Sequence, residues 1–211
     1  MELPKPIKEF IEFISQFPGI GSRQATRLAF WLLHQEKEKK KKFLTISQHL
    51  LINTQICPNC FFVSERKKEK SQTKSLCEIC SDRRRNSSLI CVVEKETDLL
   101  TIEKTNKYKG LYHILGGLIS KIDENKKQAL TINQLILRIK KSSHSSQPVK
   151  EVILALNPTS EGNLTSYLLE KEINKLNLNI KITKLGRGLP QGSEVEFSDS
   201  ETLINALLGR K

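Results

Sequence analysis

The segment CPNCFFVSERKKEKSQTKSLCEIC at residues 57–80 begins and ends with a pair of cysteines. Between Val63 and Leu76 it has almost no apolar side chain, so this segment cannot fold around a core of its own. In a reducing compartment paired cysteines seldom form lasting disulfides, and two Cys-x2-Cys pairs are typical of metal sites. We therefore expect a metal ion to hold the segment together.

The two pairs supply a complete set of thiolate ligands, namely Cys57, Cys60, Cys77 and Cys80. Four thiolates can close a tetrahedron around Zn²⁺ with bonds of about 2.3 Å, so one structural ion per chain is predicted. A catalytic zinc would keep one position for water. An iron–sulfur cluster and a redox-active pair are the alternatives. Cys91 lies in an apolar run and is predicted to be a core residue, while Phe61 and Phe62 are predicted to pack beneath the metal.

The charge of the chain favours a polyanionic partner. Its 211 residues include 35 Lys and Arg against 23 Asp and Glu, which gives a formal net charge of +12. Nucleic acid is the natural partner for such a surface, although a merely soluble, lysine-rich protein would have the same balance. No stretch approaches the roughly 18–20 apolar residues of a membrane span, and the N-terminus lacks a secretory pattern. The sequence thus predicts a cytoplasmic protein without a membrane partner.

Before the cysteines, the sequence predicts a helical hairpin. Apolar residues recur at helical spacing from Ile7 to Phe17, the segment Pro18-Gly19-Ile20-Gly21 breaks the pattern, and a second apolar stripe runs from Ala25 to Leu33. Ser22 is the predicted cap of the second helix. The charged run at 36–42 is predicted to be a solvated helix end or loop.

The turn of this hairpin resembles the helix-hairpin-helix motif of DNA repair proteins. Gly19 and Gly21 would let the backbone approach a phosphate, and the free amides at the start of the next helix would point at the anion. Arg23 and Arg27 stand four residues apart and could add two cations on one face. These four residues are the predicted DNA contacts; a purely structural hairpin is the alternative.

After the cysteines, apolar runs alternate with helical stripes. Strands are predicted at 89–93, 111–115, 152–156 and around Ile180 and Ile182. Helices are predicted at 99–103, from Ile132 to Ile139 and from Leu169 to Leu176. Alternation of this kind indicates a mostly parallel sheet with helices on its faces.

Polar residues follow two of these strands, in an arrangement that resembles a Toprim domain. Glu94 follows the first strand, and Asn157 and Thr159 occupy the positions of the Asp-x-Asp pair that holds magnesium in that module. An amide and a hydroxyl replace two carboxylates, so no tightly bound catalytic Mg²⁺ is expected. Glu94 and Glu161 are instead predicted to bind a partner. A metal-dependent nuclease or primase that uses these two glutamates is the alternative function.

The whole chain is similar to the RecR family. The resemblance rests on the order of hairpin, cysteine pairs and Toprim-like domain, with a final GLPQGSEVEF at 188–197 followed by Asp199 and Gly209-Arg210. It predicts a multidomain α+β protein: a helix-hairpin-helix DNA-binding and oligomerisation region (1–54), a zinc finger (55–82), a Toprim domain (83–184) and a helical C-terminal oligomerisation segment (185–211). In one respect the sequence departs from the family pattern, because the spacer between the cysteine pairs is longer and more basic than usual.

The resemblance also implies a function without catalysis. It suggests a mediator of recombination that acts with RecO and RecF homologues to load RecA onto gapped DNA coated by single-strand-binding protein. It further implies a homotetrameric ring, with Arg23 and Arg27 directed toward the DNA. These statements are expectations from the family, and composition or spacing alone would not give them.

Overall fold

The computed structural model describes residues 2–66, 75–120 and 130–210. By their internal contacts the residues divide into two compact units, Met1–Thr54 and Gln55–Lys211. The boundaries of the four predicted domains remain predictions, because this division does not test them.

Three helices form the N-terminal unit: α1 (Lys5–Ile14), α2 (Ser22–Leu33) and α3 (Lys37–Asn53). Helices α1 and α2 pack on each other, and Ile14, Ala25 and Ala29 are the residues that they bury. Helix α3 buries no residue in this chain. The predicted hairpin is therefore present, and the charged run at 36–42 forms the start of a longer helix.

The prediction that Ser22 caps α2 is wrong. The residue at the N-cap is Gly21, and no side chain caps the helix. Phe17 also lies beyond α1, which ends at Ile14. Helix α2 thus begins one residue earlier than predicted, because Gly21 itself makes the transition from extended to helical backbone.

In the second unit, a two-stranded sheet and a short helix surround the cysteines. The sheet pairs β1 (Thr54–Ile56) with β2 (Val63–Glu65), and the helix is α4 (Glu78–Ser81). The main sheet follows, with strands β3 (Asn86–Val93), β4 (Gly110–Ile114), β5 (Glu151–Ala155) and β6 (Lys181–Lys184). Their order in the sheet is β4-β3-β5-β6, and all three pairings are parallel.

Helices cover both faces of the main sheet because its central strands alternate their side chains between two cores. On one face Ile90 and Val92 pack with residues of α6 (Ile132–Ser142) and α7 (Ser160–Asn174). On the other face Cys91 and Val93 pack with Leu99 of α5 (Glu96–Lys104). The predicted strands and helices are thus confirmed to within a few residues, as are the parallel sheet and the core position of Cys91.

The C-terminal segment contains a 3₁₀ turn at Val195–Phe197 and the helix α8 (Ser200–Leu208), which Asp199 caps through the amide of Thr202 at 2.9 Å. This helix confirms the predicted helical C-terminus. Within the ranges that the structure describes, no helix combines the length and the apolar character that crossing a membrane would need.

Candidate metal centre and nucleic-acid interface

The structure brings the four predicted cysteines into one cluster. The Sγ atoms of Cys57, Cys60, Cys77 and Cys80 all lie within 4.8 Å of one another. Three of the cysteines are buried and Cys80 is half-buried. Sulfur atoms about 2.3 Å from a shared tetrahedral ion would stand a little under 4 Å apart, so the cluster has the size and the donor set of a four-thiolate metal site.

Two tight backbone turns build the cluster. In the first turn, the amide of Phe61 donates to the carbonyl of Cys57 at 3.0 Å. The amide of Cys57 in turn donates to the carbonyl of Phe62 at 2.8 Å. Phe61 has a φ of +66°, a left-handed conformation that a residue other than glycine rarely adopts. In the second turn, Cys77 occupies the N-cap position of α4, and Cys80 lies within that helix. Each pair thus presents two sulfur atoms from a single turn.

The electrostatics of the cluster favour a cation. The hydrogen bond with Cys60 is the largest cause that lowers the pKa of Cys57, and the hydrogen bond with Cys57 is the largest cause that raises the pKa values of Cys60 and Cys80. Four thiolates this close together repel one another, and a positive ion among them would balance their charge. Two N–H groups already point at sulfur: the amide of Cys77 toward Cys57 and the side chain of Asn59 toward Cys80, each at 3.5 Å.

The cysteine cluster is attached to the main sheet. The amide of Ile114 in β4 donates to the carbonyl of Cys60 at 2.9 Å. The ring of Phe61 packs edge-on against the ring of His113, with centroids 5.3 Å apart. Phe62 packs against the cysteines themselves. The predicted packing beneath the metal site is thus confirmed for Phe62, whereas Phe61 packs against the sheet, which positions the first cysteine pair.

Sequence analysis did not identify two polar residues beside the cluster, His113 and Arg138. Burial lowers the pKa of His113 to about 4, so the ring is neutral near pH 7. Arg138 of α6 donates from Nη1 to the carbonyls of Tyr112 at 2.6 Å and Asn59 at 3.1 Å. No sequence signal marks either residue, because a helical or alternating pattern does not show which polar side chain meets another module. Half of the basic spacer, residues 67–74, lies outside the described residues.

The glycine turn of the N-terminal hairpin has the geometry of an anion-binding corner. Gly19 has a φ of +78°, in the region that favours glycine, and the first hydrogen bond of α2 runs from Ala25 to the carbonyl of Gly21 at 3.0 Å. The amides of residues 22–24 consequently have no acceptor within the helix. Arg23 and Arg27 are exposed on α2, and neither pairs with a residue in the described part of the chain.

The carboxyl ends of β3 and β5 bring the Toprim-like positions together. These strands are neighbours, and the side-chain amide of Asn157 donates to the Glu94 carboxylate at 3.2 Å. The Thr159 hydroxyl accepts from the amide of Gly162 at 3.1 Å and caps α7. Glu161 is exposed in the first turn of that helix. The two pair positions therefore bring no carboxylate to this edge of the sheet, and one of them, Thr159, serves as a helix cap.

In comparison with known proteins, three regions of the chain match family models. Residues 7–47 match the model described as RecR, helix-hairpin-helix; residues 88–185 match the Toprim domain; and residues 188–211 match the model described as RecR, C-terminal.

Full-length relatives agree with these matches. Among them, the chain is 36% identical over 208 residues to the Recombination protein RecR of Herpetosiphon aurantiacus, which spans 99% of this chain and 95% of that protein. It is 36% identical to the protein of that name from Finegoldia magna, over 99% of this chain and 96% of the relative. With the one from Prochlorococcus marinus, the identity is 38% over 98% and 96% of the respective chains.

Proposed function

The chain belongs to the RecR family, and from this membership we propose that it is a DNA-binding recombination protein that acts in the repair of single-stranded gaps in the cytoplasm. The observation that carries the proposal is the hairpin corner, where a left-handed Gly19, the unpaired amides of residues 22–24 and two exposed arginines lie together. Amides and arginines grip the sugar–phosphate chain and read no bases. Binding is therefore independent of sequence and weakens steeply with salt.

The finer role proposed is that of a mediator. With RecO and RecF homologues, the protein helps to load RecA onto gapped DNA coated by single-strand-binding protein. Glu94 and Glu161, at the carboxyl end of the parallel sheet, are the proposed partner-binding residues. Their position supports this, because ligands of such sheets bind outside the carboxyl ends of the strands.

The protein binds DNA without acting on it chemically. Two of the three positions that hold magnesium in Toprim enzymes are Asn157 and Thr159, which bring no negative charge to a hard cation. The remaining carboxylate, that of Glu94, already accepts a hydrogen bond from Asn157. These contacts support a binding role for the domain and weigh against nuclease or primase activity.

The proposed metal is one structural Zn²⁺ per chain. All four ligands are thiolates, and zinc is the common tetrahedral ion for such a set. The ion would hold the two cysteine turns together, because metal binding and folding are linked in segments without a core of their own.

The proposed assembly is a tetrameric ring. Helix α3 exposes large apolar side chains that this chain does not cover, among them Leu44 at 60%, Leu51 at 77% and Ile52 at 60% exposure. Apolar surfaces of this kind mark association sites. A second copy of the chain is the partner that the family membership suggests.

The experiment that tests the proposal measures affinity for gapped DNA against salt concentration. We expect Arg23→Ala with Arg27→Ala to reduce the slope of log K against log salt by about one for each arginine that contacts a phosphate. A matched double variant, Lys107→Ala with Lys171→Ala, removes two exposed cations from the second unit and should change the slope less. An unchanged slope in the arginine variant, or an equal change in the control, would contradict the assignment of the hairpin.

A further inference from the structure

Arg138 is a half-buried residue whose guanidinium has no acidic partner among the described residues. Its Nη1 donates to two backbone carbonyls, those of Tyr112 at 2.6 Å and Asn59 at 3.1 Å. Its Nη2 is buried and has no hydrogen-bond partner. Both acceptors are neutral, so the hydrogen bonds orient the guanidinium but leave its charge unbalanced.

An unbalanced buried charge is strongly unfavourable, and arginine does not relieve it by losing its proton. The hydrogen bond to the carbonyl of Asn59 places the guanidinium beside the first cysteine turn, and no ion pair joins Arg138 to a carboxylate in the described part of the chain. Burial lowers the pKa of Arg138, and the nearby sulfur atoms, that of Cys80 first, act in the opposite direction.

The cysteine cluster has the complementary problem. Four thiolates around one divalent ion leave a formal excess of two negative charges. Three of the four cysteines are buried, so water cannot solvate that excess well. A buried cation beside the cluster would stabilise it, and a buried anionic cluster would stabilise the cation.

From this juxtaposition we infer that Arg138 is the counter-charge of the four-thiolate metal centre and sets its affinity for the metal. The inference rests on the metal site proposed above. It assigns to the sheet domain a direct electrostatic role in a centre whose four ligands all lie outside that sheet. Groups beyond the ligands commonly tune a metal site in this way.

Asn59 links Arg138 to the cysteine ligands through two hydrogen bonds. Its carbonyl accepts from Arg138, while its side-chain amide donates to the Sγ of Cys80 at 3.5 Å. The residue lies within the first cysteine turn, next to Cys60. Arg138 thus binds the turn whose asparagine contacts the second cysteine pair. Arg138 therefore contributes both a charge and hydrogen bonds, and different substitutions of Arg138 can separate the two contributions.

The test compares zinc affinity across a series of full-length variants, by competition with a chromophoric chelator at fixed pH. Arg138→Met and Arg138→Gln should lower the affinity about 10- to 100-fold, the range typical of groups that support metal ligands. Arg138→Lys keeps the charge and should recover most of the loss. Lys140→Met removes an exposed cation from the same helix and should leave the affinity unchanged.

A spectroscopic readout separates the charge from a merely structural role. In the cobalt-loaded protein, removal of the guanidinium should shift the thiolate-to-cobalt charge-transfer band to longer wavelength, because the sulfur electrons are less tightly held. Arg138→Lys should restore the band, and Lys140→Met should not move it.

The inference is overturned if Arg138→Gln and Arg138→Lys bind zinc equally well, or if Arg138→Met lowers thermal stability while zinc affinity and the cobalt band stay as in the parent. Should Arg138→Met fail to fold, the comparison of the Gln and Lys variants still decides. A parent chain that binds no zinc would overturn the metal centre itself, which is a separate result.

Discussion

At the carboxyl end of β5, one glycine fixes the loop that carries the Toprim-like residues. A Cβ on Gly162 would lie 1.9 Å from the carbonyl oxygen of Asn157 and 3.3 Å from the hydroxyl of Thr159. The start of α7 can therefore close over the loop only because position 162 has no side chain. This contact places Asn157 where its amide reaches Glu94.

Gly162→Ala should destabilise the protein. Alanine favours a helix over glycine by about 1 kcal/mol, but a clash with backbone forces a shift that costs about 1–3 kcal/mol, so the clash dominates. The midpoint of urea unfolding should fall. Gly186→Ala is the matched control, because a Cβ there meets nothing within 4 Å. An unfolding midpoint for Gly162→Ala equal to or above that of the parent would show that the loop is not held this way.

The elements differ in how far the sequence predicts them. The strands of the main sheet and the cysteine cluster are predicted because their signals are local: an unbroken apolar run and a fixed Cys-x2-Cys spacing. Helix α3 was not predicted beyond its charged start, because its apolar residues do not form one stripe and none is buried. The sequence does not predict the role of Arg138, because that role depends on a contact with the cysteine segment, which is distant in sequence.

Zinc content tests the cysteine element. Elemental analysis should find about one zinc ion per chain, and Cys57→Ser should lose it together with much of the folding yield, since metal binding and folding are coupled. Cys91→Ala removes the cysteine that lies outside the cluster and should keep the metal. Iron in place of zinc, or loss of metal from Cys91→Ala, would disprove the assignment. DNA binding by the hairpin need not disappear, because the hairpin is a separate element.

At the scale of the whole molecule, two surfaces remain unexplained by a single chain. The net charge of +12 favours an anionic partner. The exposed apolar side chains of α3 and α8 favour a partner with an apolar surface. The proposed partners, DNA and further copies of the chain, would match these two properties. The sequence predicts the first partner through its charge and its hairpin, whereas only the family resemblance predicts the second.

The exposed apolar side chains of α3 should set the oligomeric state. Leu44→Lys with Leu51→Lys places two charges among them and should lower the molar mass in solution, measured by light scattering, from that of several chains toward that of fewer. Leu100→Lys with Leu137→Lys changes two exposed leucines of the second unit and should leave the mass unchanged. A parent that is monomeric at every concentration would rule out the ring.

One experiment decides whether this protein binds gapped DNA and leaves it chemically unchanged. The purified chain is incubated with labelled gapped DNA, nucleotides and Mg²⁺, binding is measured, and the DNA is then recovered for analysis on a denaturing gel. We expect salt-sensitive binding and strands of unaltered length. Cleaved or extended strands, produced by the protein alone and abolished by Glu94→Gln, would contradict this expectation.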